Sequence, residues 1–180
     1  IMAMTLIADN TADTTDLASV SFTSSIDSTY KLYIFKFIDI NPATDGSDFS
    51  FQVNATDSTG YDRTITSTYF FASNYENDSA AEIVYQTAFD QAQGTAFQPL
   101  ADTIGNGSDE SAAGTLWLFN PSNTTYVKHF YFTTNCHYNN NVSFNFFGAG
   151  YINDTTAIDD IQFKMDSGNF DGTIKMYGVG

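Results

Sequence analysis

A chain of 180 residues is long enough for one domain to bury roughly 70% of its unfolded surface, and its 42% apolar and 16% aromatic content excludes a disordered polypeptide despite abundant Thr, Ser, Asn and Asp. Six Lys and Arg against 21 Asp and Glu leave a net charge of −15, which repels phosphate backbones and excludes nucleic acid as a partner. The longest apolar runs, such as Ile34-Phe35 and Phe70-Phe71-Ala72, are too short to insert into a membrane.

A single domain over residues 1-180 is expected, since no repeat, linker or composition shift divides the chain. The amino terminus, Ile1-Met2-Ala3-Met4-Thr5-Leu6, lacks the basic segment and long apolar stretch of a secretory signal. An initial Ile points to a cloning remnant, a processed end or an alternative start codon. The strongest period-2 pattern follows at Lys31 to Ile40, apolar on both alternating faces, and predicts a central strand. Asn41 to Gly46 is a turn cluster, and Phe49, Phe51 and Val53 then share one face, so the two strands are expected to form a hairpin. After a turn at Asp57 to Gly60, Ile65 to Phe71 predicts another strand.

The segment Asp78 to Gln93, with Ala80, Ala81, Glu82 and Gln86, is the one place with helix-like chemistry, and at most one short helix is expected there. Gly114 to Phe119 reads as a strand stopped by Asn120-Pro121-Ser122-Asn123, Tyr126 to Cys136 as a long β-rich run, and Ser143 to Phe146 as a further alternation. Ile158 to Met165 and Thr173 to Tyr177 are expected to pair across the turn Asp166 to Gly172. Eight or more short strands predict an all-β fold, an antiparallel β-sandwich or jelly roll. The loops Asn74 to Ser79 and Gly105 to Ala113 are expected to be the most mobile parts.

Cys136 is the only cysteine, so no internal disulfide holds the fold and assembly in a reducing cytoplasm is expected. Six Asn-x-Ser/Thr sequons, at Asn54, Asn77, Asn106, Asn123, Asn141 and Asn153, are read as chance in a chain this rich in those residues and lacking a signal. In an extended strand His129, Tyr131, Thr133, Asn135 and His137 fall on one face and Phe130, Phe132, Thr134 and Cys136 on the other. Neither histidine then activates the thiol, and the pair of histidines with one cysteine lacks zinc spacing. Asp166 to Gly172 resembles a calcium loop only superficially, because its alternate positions carry Gly168 and Phe170 rather than carboxylates. Adjacent Asp159 and Asp160 are expected on opposite faces of a strand, which is not the paired geometry of a glycosidase. Gly148-Ala149-Gly150 lacks the lysine and helix of a phosphate loop. No catalytic, cofactor-binding or metal-binding residue is therefore assigned, no cofactor is expected, and the chain reads as a non-enzyme. The aromatics Trp117, Tyr33, Tyr61, Tyr69, Tyr126, Tyr131, Tyr138 and Tyr151 are expected mainly in the core or at a subunit interface, with Trp117 the best single candidate for stacking on a sugar.

At the carboxy end, Ala157-Ile158, Ile161, Phe163, Ser167-Gly168-Asn169-Phe170 and Gly172-Thr173-Ile174-Lys175-Met176-Tyr177-Gly178 form an order that resembles a family of small tailed-phage virion proteins. The likeness continues at Thr5-Leu6-Ile7, Ser21-Phe22-Thr23 and Thr29-Tyr30-Lys31-Leu32, and at Gly114 to Pro121 followed by Lys128. Ile26-Asp27-Ser28 and Tyr151 depart from the family pattern, which weakens any transfer of a ligand. The resemblance implies a jelly-roll-like, repeated component of the particle exterior, on a tail appendage or as a head knob, with no shared catalytic residues.

The expected function is that of a non-enzymatic bacteriophage virion structural protein at the virion surface, assembled in the host cytoplasm. Within it a tail-associated, host-facing adhesin is placed ahead of a capsid decoration protein, and a carbohydrate-binding module or a small hydrolase with dispersed carboxylates is the alternative. The expected partners are other virion proteins, a host surface glycan, and further copies of the chain in a homo-oligomer, with a trimer favoured.

Overall fold

The computed structural model describes residues 3–11 and 13–180; Ile1 and Met2, part of the amino-terminal segment considered above, lie outside the described residues. In chain order the strands are β1 (Met4–Asp9), β2 (Val20–Phe22), β3 (Leu32–Pro42), β4 (Ser47–Ala55), β5 (Ile65–Tyr75), β6 (Ala81–Tyr85) and β7 (Ala92–Gly94). They continue with β8 (Gln98–Ile104), β9 (Ala112–Phe119), β10 (Lys128–Tyr138), β11 (Val142–Ile152), β12 (Ile158–Met165) and β13 (Phe170–Val179). All strand pairs are antiparallel, and among the described residues there is no helix.

The strands fall into two layers. The larger runs β1-β13-β3-β9-β10-β11-β5, with β6 and β7 one after the other along the far edge of β5. The smaller runs β8-β4-β12-β2. They join where Tyr138 of β10 meets Ile104 of β8, so the sheet is nearly closed into a barrel-like sandwich. Period-2 alternation sends one row of each strand inward, and the rings meet between the layers. Phe163 of β12, fully buried, lies within 5.3 Å of Phe35 and of Phe37 from β3, and Phe51 of β4 meets Phe130 of β10 edge to face at 5.1 Å. One apolar core extends from Leu17 to Met176.

Both expected hairpins are instead crossovers between layers. β3 pairs with β13 and β9, whereas β4 pairs with β12 and β8. Likewise β12 and β13 belong to opposite layers. A turn-rich stretch between two alternating strands specifies a reversal but not which layer receives the second strand. The two crossovers brace each other: the Ala43 amide donates to the Asn169 carbonyl at 2.8 Å, and the Ser47 hydroxyl donates to the Ser167 carbonyl at 3.0 Å.

The segment Asp78 to Gln93, whose composition allows at most one short helix, forms none and holds β6 and most of β7. Ile83-Val84-Tyr85 is β-branched and aromatic, and the open edge of β5 supplies the hydrogen-bond partners that a short exposed helix would lack.

Candidate functional site

Strands β5, β9, β10 and β11 contain no Asp or Glu. Register aligns their outward side chains into rows across the larger layer. Leu6, Tyr177, Ile34, Trp117, Tyr131, Ala149 and Thr68 lie side by side in one row. The next holds Lys175, Lys36, Thr115, Thr133, Phe147, Phe70 and Tyr85. Of nine large hydrophobic side chains left exposed among the described residues, Met4, Leu6, Ile38, Phe70, Ile83, Tyr85, Phe119 and Tyr131 all sit on this outer face; the ninth, Tyr126, stands in the loop at its end. Scattered exposed apolar residues are ordinary; here they are concentrated on one face.

Rings on this face pair with one another. Trp117 and Tyr131 stack at 4.3 Å with their planes 7° apart, and Lys36 of β3 places its ammonium 5.7 Å from the Trp117 centroid. Because β3 and β10 flank β9 on opposite sides, both faces of Trp117 are covered. Phe70 and Phe147 stack at 5.0 Å in the same manner. A pyranose ring needs a bare aromatic face, so Trp117, the sequence's best sugar-stacking candidate, is unsuited to that task. Of the other aromatics considered, Tyr33 and Tyr69 are fully buried, Tyr138 packs against the core, and Tyr151 lies on the outer face beside His129.

At one end of the face an open, mostly apolar pocket of about 600 Å³ is lined by Phe119, Asn120, Thr125, Tyr126, Val127, His129 and Thr155. Tyr126 is 70% exposed there. The pocket follows from the β9–β10 connection, where Asn123 accepts the amides of Thr125 and Tyr126, each at 2.7 Å, and turns the chain back. Nearby Lys128 is buried, its ammonium donating to the carbonyls of Asp154 at 2.9 Å and Thr156 at 2.5 Å. Burial lowers its pKa from the ordinary lysine value. Its work is to hold the 153–157 loop against the barrel end.

Cys136 lies on the inward face of β10 with Phe130 and Phe132, where the alternation places it, and burial raises its thiol pKa far above the ordinary value. Both histidines lie on the opposite, outward side of that strand: His129 faces the pocket, and His137 sits 3.2 Å from Glu76 and 3.1 Å from Glu110. A second hollow, about 420 Å³, is acidic, with Asp39, Asp109, Glu110 and Asp171 among its lining. No group of three or more His, Cys, Asp and Glu side chains among the described residues is arranged to hold a metal ion.

The expectation that Asp159 and Asp160 occupy opposite faces is corrected by a register shift between Ile158 and Asp160. Ile158 and Ile161 are both fully buried, so the two carboxylates between them are turned away from the core. Burial, then repulsion from Asp160, raises the Asp159 pKa. Neither residue lines the two hollows described above.

Gly148 and Gly150 make room for the core. They stand opposite Phe132 and Phe130, and a Cβ at Gly148 would lie 2.2 Å from the Phe132 ring. The glycine of the terminal Tyr177-Gly178 motif does the same for Tyr30, whose ring would be 2.3 Å from an added Cβ. Two motifs from opposite ends of the chain therefore meet in space, which no spacing along the chain reveals. No protein-family model, curated protein or solved structure matches the chain.

Proposed function

We propose that the chain is a non-enzymatic structural protein of a tailed-phage particle, exposed on the virion surface as a tail-associated, host-facing adhesin. The observation supporting this most directly is the broad outer face of the larger layer, where strands β5, β9, β10 and β11 contribute no carboxylate, a surface suited to attachment and assembly rather than a cleft suited to turnover. The contact of Tyr30 with Gly178 adds support, because it gives the motifs of the phage resemblance a packing role and leaves their chemistry inert. Other virion proteins are the partners of this reading. A free carbohydrate-binding module is less well supported, since Trp117 has both faces covered and Phe70 and Phe147 each turn one face to the other. A host glycan contact within the adhesin role belongs at the pocket beside Tyr126.

Locating the chain in an electron-microscopy map of the particle tests the proposal. Density at the tail with a low copy number is the expected result. A copy number matching the major capsid protein moves it to the head as a decoration protein, and absence from purified particles defeats the virion assignment. Binding to a glycan array that is lost in Tyr126→Ala checks the pocket.

A further inference from the structure

We propose that the outer face of the larger layer is covered by a second copy of this chain. This inference concerns the isolated protein and stands whether or not the chain belongs to a particle. Four outward rows across seven strands span about 30 by 27 Å, roughly 800 Å², which is the share each partner contributes to a stable interface of standard size. The centre of that area, around Trp117, Tyr131 and Ala149, is apolar and carries no carboxylate, although the chain holds 21. Acidic groups stand at its margins, with Asp9 at the β1 edge and Asp39 and Asp171 towards the strand ends.

Charged groups on the face contact partners in their own chain, including His137 beside Glu76 and Glu110 at one end. Lys36 donates to the Thr115 hydroxyl at 2.8 Å and lies against Trp117, while Lys175 stands opposite Asp9. Such a face asks for a neutral, apolar counterpart, not for an acidic or basic one. Within this strongly acidic molecule the matching surface is the face itself, and it is where two like-charged copies approach without opposing their carboxylates. Rings already stacked on one another suit interdigitation with a protein surface better than stacking against a sugar.

The test uses the whole chain and its single tryptophan, Trp117, at the centre of the face. Analytical ultracentrifugation from low to high micromolar concentration is combined with Trp117 emission and iodide quenching over the same range. Self-association is expected, with emission shifting to the blue and quenching falling as concentration rises. Ala149→Glu places a carboxylate on the face at an exposed position that packs against nothing essential, and should weaken association by at least about tenfold. Ser21→Glu adds the same charge at the exposed position of β2 in the other layer and should leave association within about twofold of the parent. Matching circular dichroism and melting curves establish that both variants fold. A monomer with concentration-independent emission overturns the proposal, and so does an oligomer that Ala149→Glu weakens no more than Ser21→Glu does.

Discussion

Asp48 is held in the folded chain under conditions a carboxylate resists. Its Oδ1 accepts the Thr103 amide at 2.9 Å, but burial together with neighbouring Asp102 and Asp166 raises its pKa to about 7. The unfolded chain loses this proton near pH 4, while the folded chain keeps it until about pH 7. Its contribution to stability is therefore complete below about pH 4, falls as pH rises towards 7, and stays lost above. Asp48→Asn keeps the acceptor and removes the charge. Because Asp48 is only partly buried, solvent screens much of this penalty, and the variant is expected to stabilise the protein by about 1–2 kcal/mol at pH 8, with the gain vanishing near pH 4, as read from urea midpoints at each pH. Cys136, on the same side of the core, should react slowly with thiol reagents when native and rapidly once unfolded; rapid native labelling would contradict its inward position. That position was legible because β10 keeps strict alternation over its whole length. The acidic surroundings of Asp48 were not, since Asp102 and Asp166 reach it from strands and turns more than fifty residues away.

Among the elements, the β10–β11 hairpin pairs residue for residue from Lys128↔Ile152 to Tyr138↔Val142 and forms the middle of the larger layer. Its glycines are structural. Gly148→Ala pushes a methyl into the fully buried Phe132 ring and is expected to cost about 1–3 kcal/mol in a denaturant titration, whereas Ala149→Ser, exposed on the other face, should be within about 0.5 kcal/mol of neutral. Strand identity was largely readable from alternation, but strand partnership was not. The turns at Asn41 to Gly46 and Asp166 to Gly172 have hairpin composition, yet each carries the chain across the core, because Phe49 and Phe163 are needed on the facing layer to fill it. At Ala80-Ala81-Glu82 helix propensity was outweighed by the apolar run that follows and by the open edge of β5.

For the molecule as a whole, a charge of −15 opposes every close contact between copies. Since the centre of the outer face lacks carboxylates, the repulsion acts over distance and is screened by salt, while apolar contact is not. Self-association is accordingly expected to tighten as sodium chloride rises from low to moderate concentration, measured by sedimentation; weakening with salt would indicate that ion pairs hold the copies together. The face was legible only in part. Missing acids in four strands can be read directly, but their alignment into rows depends on register, and the sandwiching of Trp117 by Lys36 and Tyr131 depends on three strands whose order the chain does not follow.

The pairing of β1 with β13 sets Met4 against Val179. Tension applied between these two residues would act across the strands, loading the β1–β13 hydrogen bonds one pair at a time rather than all together in shear. The amino-terminal strand should peel away at low force before the β3–β9–β10 centre is loaded, giving a small first extension in a single-molecule pulling trace. A link through only one end would bypass that seam and leave the mechanically stronger body of the barrel to carry the pull.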